Sequence, residues 1–158
     1  MRHLIGIEDL SVAEIEQLIA TAEDIMANPA KYSAIASGKK LATLFYEPST
    51  RTRLSFEAAM MELGGGVLGF SEAQSSSAAK GESVADTAKV ISCFADIMVM
   101  RHFKEGAPMV AAMLFRENFV VGCFLEVFSD SSSLPRKRFY CICKDLTNGS
   151  HFLFTINF

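Results

Sequence analysis

The sequence predicts an α/β fold: a parallel sheet flanked by helices, with a carboxyl-terminal segment of uncertain structure. Three observations carry that prediction. Short apolar runs alternate with runs of helical periodicity between residues 11 and 100, and the connections between them are brief. The run Leu41-Ala42-Thr43-Leu44-Phe45-Tyr46 shows no polar alternation, as expected of a strand covered on both faces.

The elements follow in order. Ser11-Val12-Ala13-Glu14 has capping-box spacing, and Ile15, Leu18, Ile19, Ala22, Ile25 and Met26 recur at helical intervals. This predicts a helix over 11–26, ended by Asn28-Pro29. A polar turn at Gly38-Lys39-Lys40 precedes the first strand, 41–46. A second helix starts at Thr52 or a neighbour, with Phe56, Ala59, Met60 and Leu63 on one face, and stops at Gly64-Gly65-Gly66. Residues 67–70 form the second strand. A serine-rich loop, 71–82, leads to a helix capped by Ser83, with Asp86 three residues on and Val84, Ala88, Ile91 and Ala95 on its buried face. Residues 97–100 form the third strand. Strands of a parallel sheet gather ligands at their carboxyl ends, and three segments lie there: Ser49 to Arg53, the serine-rich loop, and Arg101-His102.

The chain has 158 residues, half of them apolar, which suits one compact core. Its net charge of -3, from 15 basic and 18 acidic residues, offers no broad footprint for nucleic acid or an anionic membrane surface. The amino terminus has no secretory apolar stretch, and no run reaches the roughly 18 residues that span a bilayer, so the expected location is cytoplasmic. Cys141-Ile142-Cys143 lacks the second pair or histidines that would complete a metal site, so no metal is expected. Past Ala112 the texture changes: eight of 13 phenylalanines and three of four cysteines lie in 113–158. The division expected is therefore 1–112 as one domain and 113–158 as an atypical tail. There, FVVGCFLEVF reads as a buried strand or a short apolar segment, and SDSSSLPRKRFY as a loop.

The densest chemistry is in FYEPSTRTRLSFE, residues 45–57. A helix amino terminus presents unpaired N–H groups and the positive end of its dipole. Ser49, Thr50 and Thr52 add hydroxyl donors, and Arg51 adds a planar fork that fits phosphate oxygens. Phosphate is the ligand these groups suit. The plainer alternative makes Ser49 or Thr50 a helix cap and the arginines solvated surface.

LFYEPSTRTRLSFEAAMMELGG, followed by SSSAAKGESVADT and VMRHFKEGAP, resembles the carbamoyl-phosphate half of an aspartate carbamoyltransferase catalytic chain. The resemblance implies that Ser49, Thr50, Arg51 and Thr52 bind the phosphate, with Thr52 also reaching the carbamoyl oxygen. Arg101 would contact both carbonyl oxygen and phosphate, while Ser76 and Lys80 would enter a neighbouring subunit's site in a homotrimer. Thr52, Arg101 and Lys80 are the implied catalytic groups. Glu47 corresponds to a glutamate that ties two domains together, and Arg53 has a structural role. No cofactor is implied. The substrates would be carbamoyl phosphate and, in the complete enzyme, L-aspartate.

The reaction implied moves a carbamoyl group to the aspartate amine in pyrimidine biosynthesis, and fixed donors at the carbonyl and phosphate oxygens would lower its barrier. The family's H-P-T-Q segment and aspartate-binding arginines do not occur in this sequence, and Phe103 stands where proline usually follows R-H. This chain alone is expected to be inactive and to lack a partner for Glu47. The abrupt change of texture suggests an out-of-frame or foreign continuation. A non-catalytic phosphate-binding module and an ornithine carbamoyltransferase are the alternatives; the serine-rich loop ending in K-G-E fits the aspartate branch better. His102 reads as a structural residue rather than a general base.

Overall fold

The computed structural model describes residues 3–6, 9–71, 81–115, 118–121, 138–144 and 151–157, the last three stretches as backbone. Helix α1, Val12–Ala27, begins with the expected capping box: the Ser11 hydroxyl accepts the Glu14 N–H, and the Glu14 carboxylate accepts the Ser11 N–H. Asn28 closes it and Pro29 opens a single further turn, α2, Pro29–Tyr32.

Four parallel strands follow in the spatial order β2-β1-β3-β4: β1 Lys40–Phe45, β2 Gly66–Phe70, β3 Ile97–Arg101 and β4 Asn118–Val121. β1 is central and buried from Leu41 onward, as its unbroken apolar run predicts. Side chains alternate across it. Leu41 and Phe45, with Ile97 and Val99 of β3, pack against Phe56, Ala59 and Met60 of α3, Thr50–Glu62, and against Leu63, which caps it. Ala42, Leu44 and Tyr46, with Met98 and Met100, pack on the other face against Ala88, Ala111 and Phe115. Ala88 lies in α4, Val84–Ile91, whose cap is Ser83, and Ala111 in α5, Ala107–Leu114.

One glycine is demanded by packing. A Cβ on Gly69, at φ +148°, would lie 2.1 Å from the Thr43 carbonyl oxygen and 2.6 Å from its hydroxyl, so β2 approaches β1 there only without a side chain.

Several details differ from the sequence expectations. α4 stops at Ile91, so Ala95 is buried just beyond the helix rather than on it. α5 was not anticipated; Gly106 at positive φ and Pro108 in the first turn are its entry signal. The sheet also runs past residue 112, because the apolar run beginning Phe119-Val120-Val121 supplies β4. Arg138 to Tyr140, expected in a loop, instead open β5, Arg138–Lys144, which pairs antiparallel with β6, His151–Asn157. Among the described residues, no helix is long and apolar enough to cross a membrane.

Candidate functional site

The strand order fixes where a ligand can enter. From β1 the chain crosses to β2 on one side, and from β3 it crosses to β4 on the other, so β1 and β3 flank the switch point of the sheet. Crevices at the carboxyl ends of such strands are the usual ligand sites of open parallel sheets. β1 runs into the Ser49 to Arg53 turn and β3 ends at Arg101, and the Tyr46 N–H donates to the Arg101 carbonyl at 2.9 Å, closing the two strand ends together.

Parity then sorts the side chains. Arg101 pairs in register with Phe45, on the sheet face covered by α3, and Glu47 follows two residues later on the same side. Tyr46 and His102 fall on the opposite side, where their rings meet at 4.5 Å.

The first turn of α3 is unlike those of α1 and α4. Ser11 and Ser83 each accept a backbone N–H from their own helix, whereas Ser49, the cap residue of α3, accepts none. Its hydroxyl instead donates to the Thr52 hydroxyl at 2.9 Å. The plainer reading of Ser49 as a cap is therefore not what the structure forms. Thr50 and Arg51 are exposed beside it, and no described residue forms a hydrogen bond or ion pair with the Arg51 side chain. Polar N–H groups, hydroxyls and an unengaged guanidinium thus share one turn, a constellation able to hold an oxyanion.

Arg53 points elsewhere. Its Nη1 donates to Glu57 Oε1 at 3.2 Å, and the same oxygen accepts the hydroxyl of buried Thr43 at 2.8 Å, so Arg53 is held along its own helix.

Arg101 is engaged. Nε reaches Glu47 Oε2 and Nη2 reaches Glu47 Oε1, both at 3.2 Å, a two-pronged pair with side-chain exposures of 27% and 46%. Glu47, expected to lack its partner from a second domain, is thus paired within its own domain. The two residues are 54 positions apart, and only the β1–β3 register brings them together.

His102 is built into the scaffold. Nδ1 accepts the Lys104 N–H at 2.9 Å, so the proton of the neutral ring sits on Nε2, and the ring stacks on Phe103. Burial first, and then the Lys104 charge, push its pKa below the ordinary value. Phe103, 63% exposed, ends the stack. Ser76 and Lys80 lie outside the described residues.

The structure adds two residues that the sequence did not flag, Thr43 and Glu57. The i to i+4 spacing of Arg53 and Glu57 was a usable signal, but nothing local points to Thr43.

Comparison with known proteins identifies the family. Residues 2–121 match the family profile for the aspartate/ornithine carbamoyltransferase, carbamoyl-P binding domain. The aspartate carbamoyltransferase catalytic subunit of Lachnoclostridium phytofermentans is 66% identical over 112 residues, which is 71% of this chain and 36% of that protein. The catalytic subunit of M. jannaschii aspartate transcarbamoylase superposes with a TM-score of 0.71 at 46% identity, covering 77% of this chain and 41% of the other. Aspartate transcarbamoylase from Trypanosoma cruzi, solved in complex with carbamoyl phosphate, gives 0.70 at 32% identity, over 76% and 38%. The chain thus spans little more than a third of the length of the curated relatives it matches.

Proposed function

Because the chain belongs to the aspartate/ornithine carbamoyltransferase family through its carbamoyl-phosphate-binding domain, we propose that the α3 turn and Arg101 bind carbamoyl phosphate. The protein these residues belong to then transfers the carbamoyl group to L-aspartate. The observation that carries the reading is the uncapped first turn of α3, with an unengaged Arg51, at the edge where β3 delivers Arg101.

The chemistry follows from the charges that develop. An amine attacks the carbonyl carbon, charge grows on the carbonyl oxygen, and the departing phosphate carries more charge than it brought. Ser49, Thr50, Arg51, Thr52 and the first amides of α3 hold the phosphate, Thr52 also reaches the carbonyl oxygen, and Arg101 contacts both the carbonyl oxygen and the phosphate. Donors fixed before the reaction pay no reorganisation at the barrier. In the described arrangement Arg101 is bound to Glu47, so substrate must exchange that carboxylate for its own oxygens.

Residues 1–112, whose sheet β4 completes, are assigned as the domain that takes the donor substrate, and the rest of 113–158 as a tail without the aspartate-binding arginines. The resemblance of the serine-rich loop supports a homotrimer in which Ser76 and Lys80 of one subunit enter the next subunit's site, and the family setting is cytoplasmic. The 158 residues alone bind carbamoyl phosphate weakly and do not turn it over, since H-P-T-Q is missing from them.

Calorimetric titration with carbamoyl phosphate, competed by inorganic phosphate, tests binding, and formation of N-carbamoyl-aspartate tests turnover. No phosphate-competable binding refutes the site; turnover by the pure chain refutes the inactivity. Mass in solution tests the trimer, and a stable monomer refutes the shared site.

A further inference from the structure

We propose that Glu57 is a positioning residue of the anion site: it holds Arg53 down the helix, so that Arg51 is the turn's one unengaged fork. The inference rests on the reading that this turn binds phosphate. Two arginines stand two residues apart in the first turn of α3. The structure separates them. Arg53 is tied to Glu57 one turn toward the carboxyl end, with side-chain exposures of only 29% and 16%, whereas Arg51 is exposed and unpaired among the described residues.

An exposed i to i+4 pair alone is a weak restraint. Here the glutamate is anchored from the sheet as well. Thr43, wholly buried in β1 on the α3 face, donates its hydroxyl to the same Glu57 oxygen. A Cβ at Gly69 of β2 would lie 2.6 Å from that hydroxyl, so β2 leaves no room there for even a methyl group. The carboxylate is therefore referenced to the central strand, and through it so is the Arg53 guanidinium. Glu57 both neutralises the second cation and keeps its fork away from the helix terminus.

Glu57→Gln tests this with little disturbance, because the amide oxygen can still accept from Thr43. The chain is titrated with inorganic phosphate and with carbamoyl phosphate. The expected result is that E57Q binds phosphate about three- to fivefold tighter, the effect of releasing one partly screened charge, while preference for carbamoyl phosphate over phosphate falls. Adding Arg53→Met to E57Q removes the gain.

A second measurement stands if E57Q melts early: the arginine Nε–H resonances during phosphate titration. In the unaltered chain, Arg51 and Arg101 shift and Arg53 does not; in E57Q, Arg53 shifts with them. A merely structural Glu57 weakens both ligands in parallel and leaves the Arg53 resonance insensitive to phosphate, which overturns the proposal. So does an Arg53 resonance that responds to phosphate in the unaltered chain. Absence of any phosphate binding by the unaltered chain instead overturns the underlying reading of the turn.

Discussion

Replacing Glu47 by alanine should tighten carbamoyl phosphate binding, because the carboxylate and the substrate compete for one guanidinium. The Glu47 side chain is 46% exposed and Arg101 27%, so the pair is a surface pair with good geometry rather than a buried one. Such pairs contribute up to about 1 kcal/mol, and the two-pronged contact places this one at about 0.5 to 1. At room temperature that corresponds to a paired-to-free ratio for Arg101 of roughly 2 to 5. Substrate must displace the paired fraction, so eliminating the competitor should raise affinity by one plus that ratio, about three- to sixfold. Calorimetry at low ionic strength measures it, and the gain should shrink as salt screens the pair in the unaltered chain. Glu47→Gln, which keeps one acceptor, should fall between the two. An E47A chain that binds equally or more weakly would show that Arg101 does not leave Glu47 for the substrate, and the exchange described above would be wrong.

Other outcomes follow from the same geometry. Arg51→Ala should weaken carbamoyl phosphate binding by about 1.5 to 3 kcal/mol, the range for hydrogen bonds to charged groups, with an unchanged titration curve returning Arg51 to the solvated surface. Gly69→Ala should lower the melting temperature sharply, by loss of about 3 kcal/mol or more, since both a positive φ and the approach to Thr43 oppose a methyl group; an unchanged melt would contradict the register of β1 and β2. Acid should act in two stages. His102, with its pKa depressed below 6.5 by burial and then Lys104, contributes stability that is whole above that value and is lost as pH falls through the folded value. Protonated Nδ1 also cannot accept the Lys104 N–H. Asp24 accepts hydrogen bonds from Lys31, Tyr32 and Asn28, which hold its pKa at about 2, so its contribution is present above 3.8 and disappears as pH drops toward about 2. Thermal melts of His102→Gln and Asp24→Asn should flatten the upper and lower limbs respectively, and identical pH profiles for the variants and the unaltered chain would reject both assignments.

What could be read from sequence was local or periodic. Capping at Ser11 and Ser83, the doubly covered β1 and the apolar face of α3 each depend on residues within a few positions of one another. The motif in α3 and its place after a buried strand were visible for the same reason. The partner of Glu47 was not, because an ion pair across 54 residues exists only once β1 and β3 are in register. Thr43 looked like one more residue of an apolar strand, and its bond to Glu57 depends on which face of β1 it occupies. α5 was missed because its largely apolar sequence shows little contrast between faces, although Pro108 marked its start. The cap at Ser49 misleads in sequence, since serine before a helix is ordinarily a cap; only coordinates reveal that its hydroxyl turns to Thr52.

The opposite placement of Arg101 and His102 makes the protein unusually sensitive to indels. Deleting or inserting one residue within β3 ahead of this pair would send histidine toward α3 and arginine toward Tyr46, even if the hydrophobic layers managed to reclose. Variation by length is consequently far more dangerous at these strands than variation by substitution, and a library built from the chain should confine its insertions to the connecting segments.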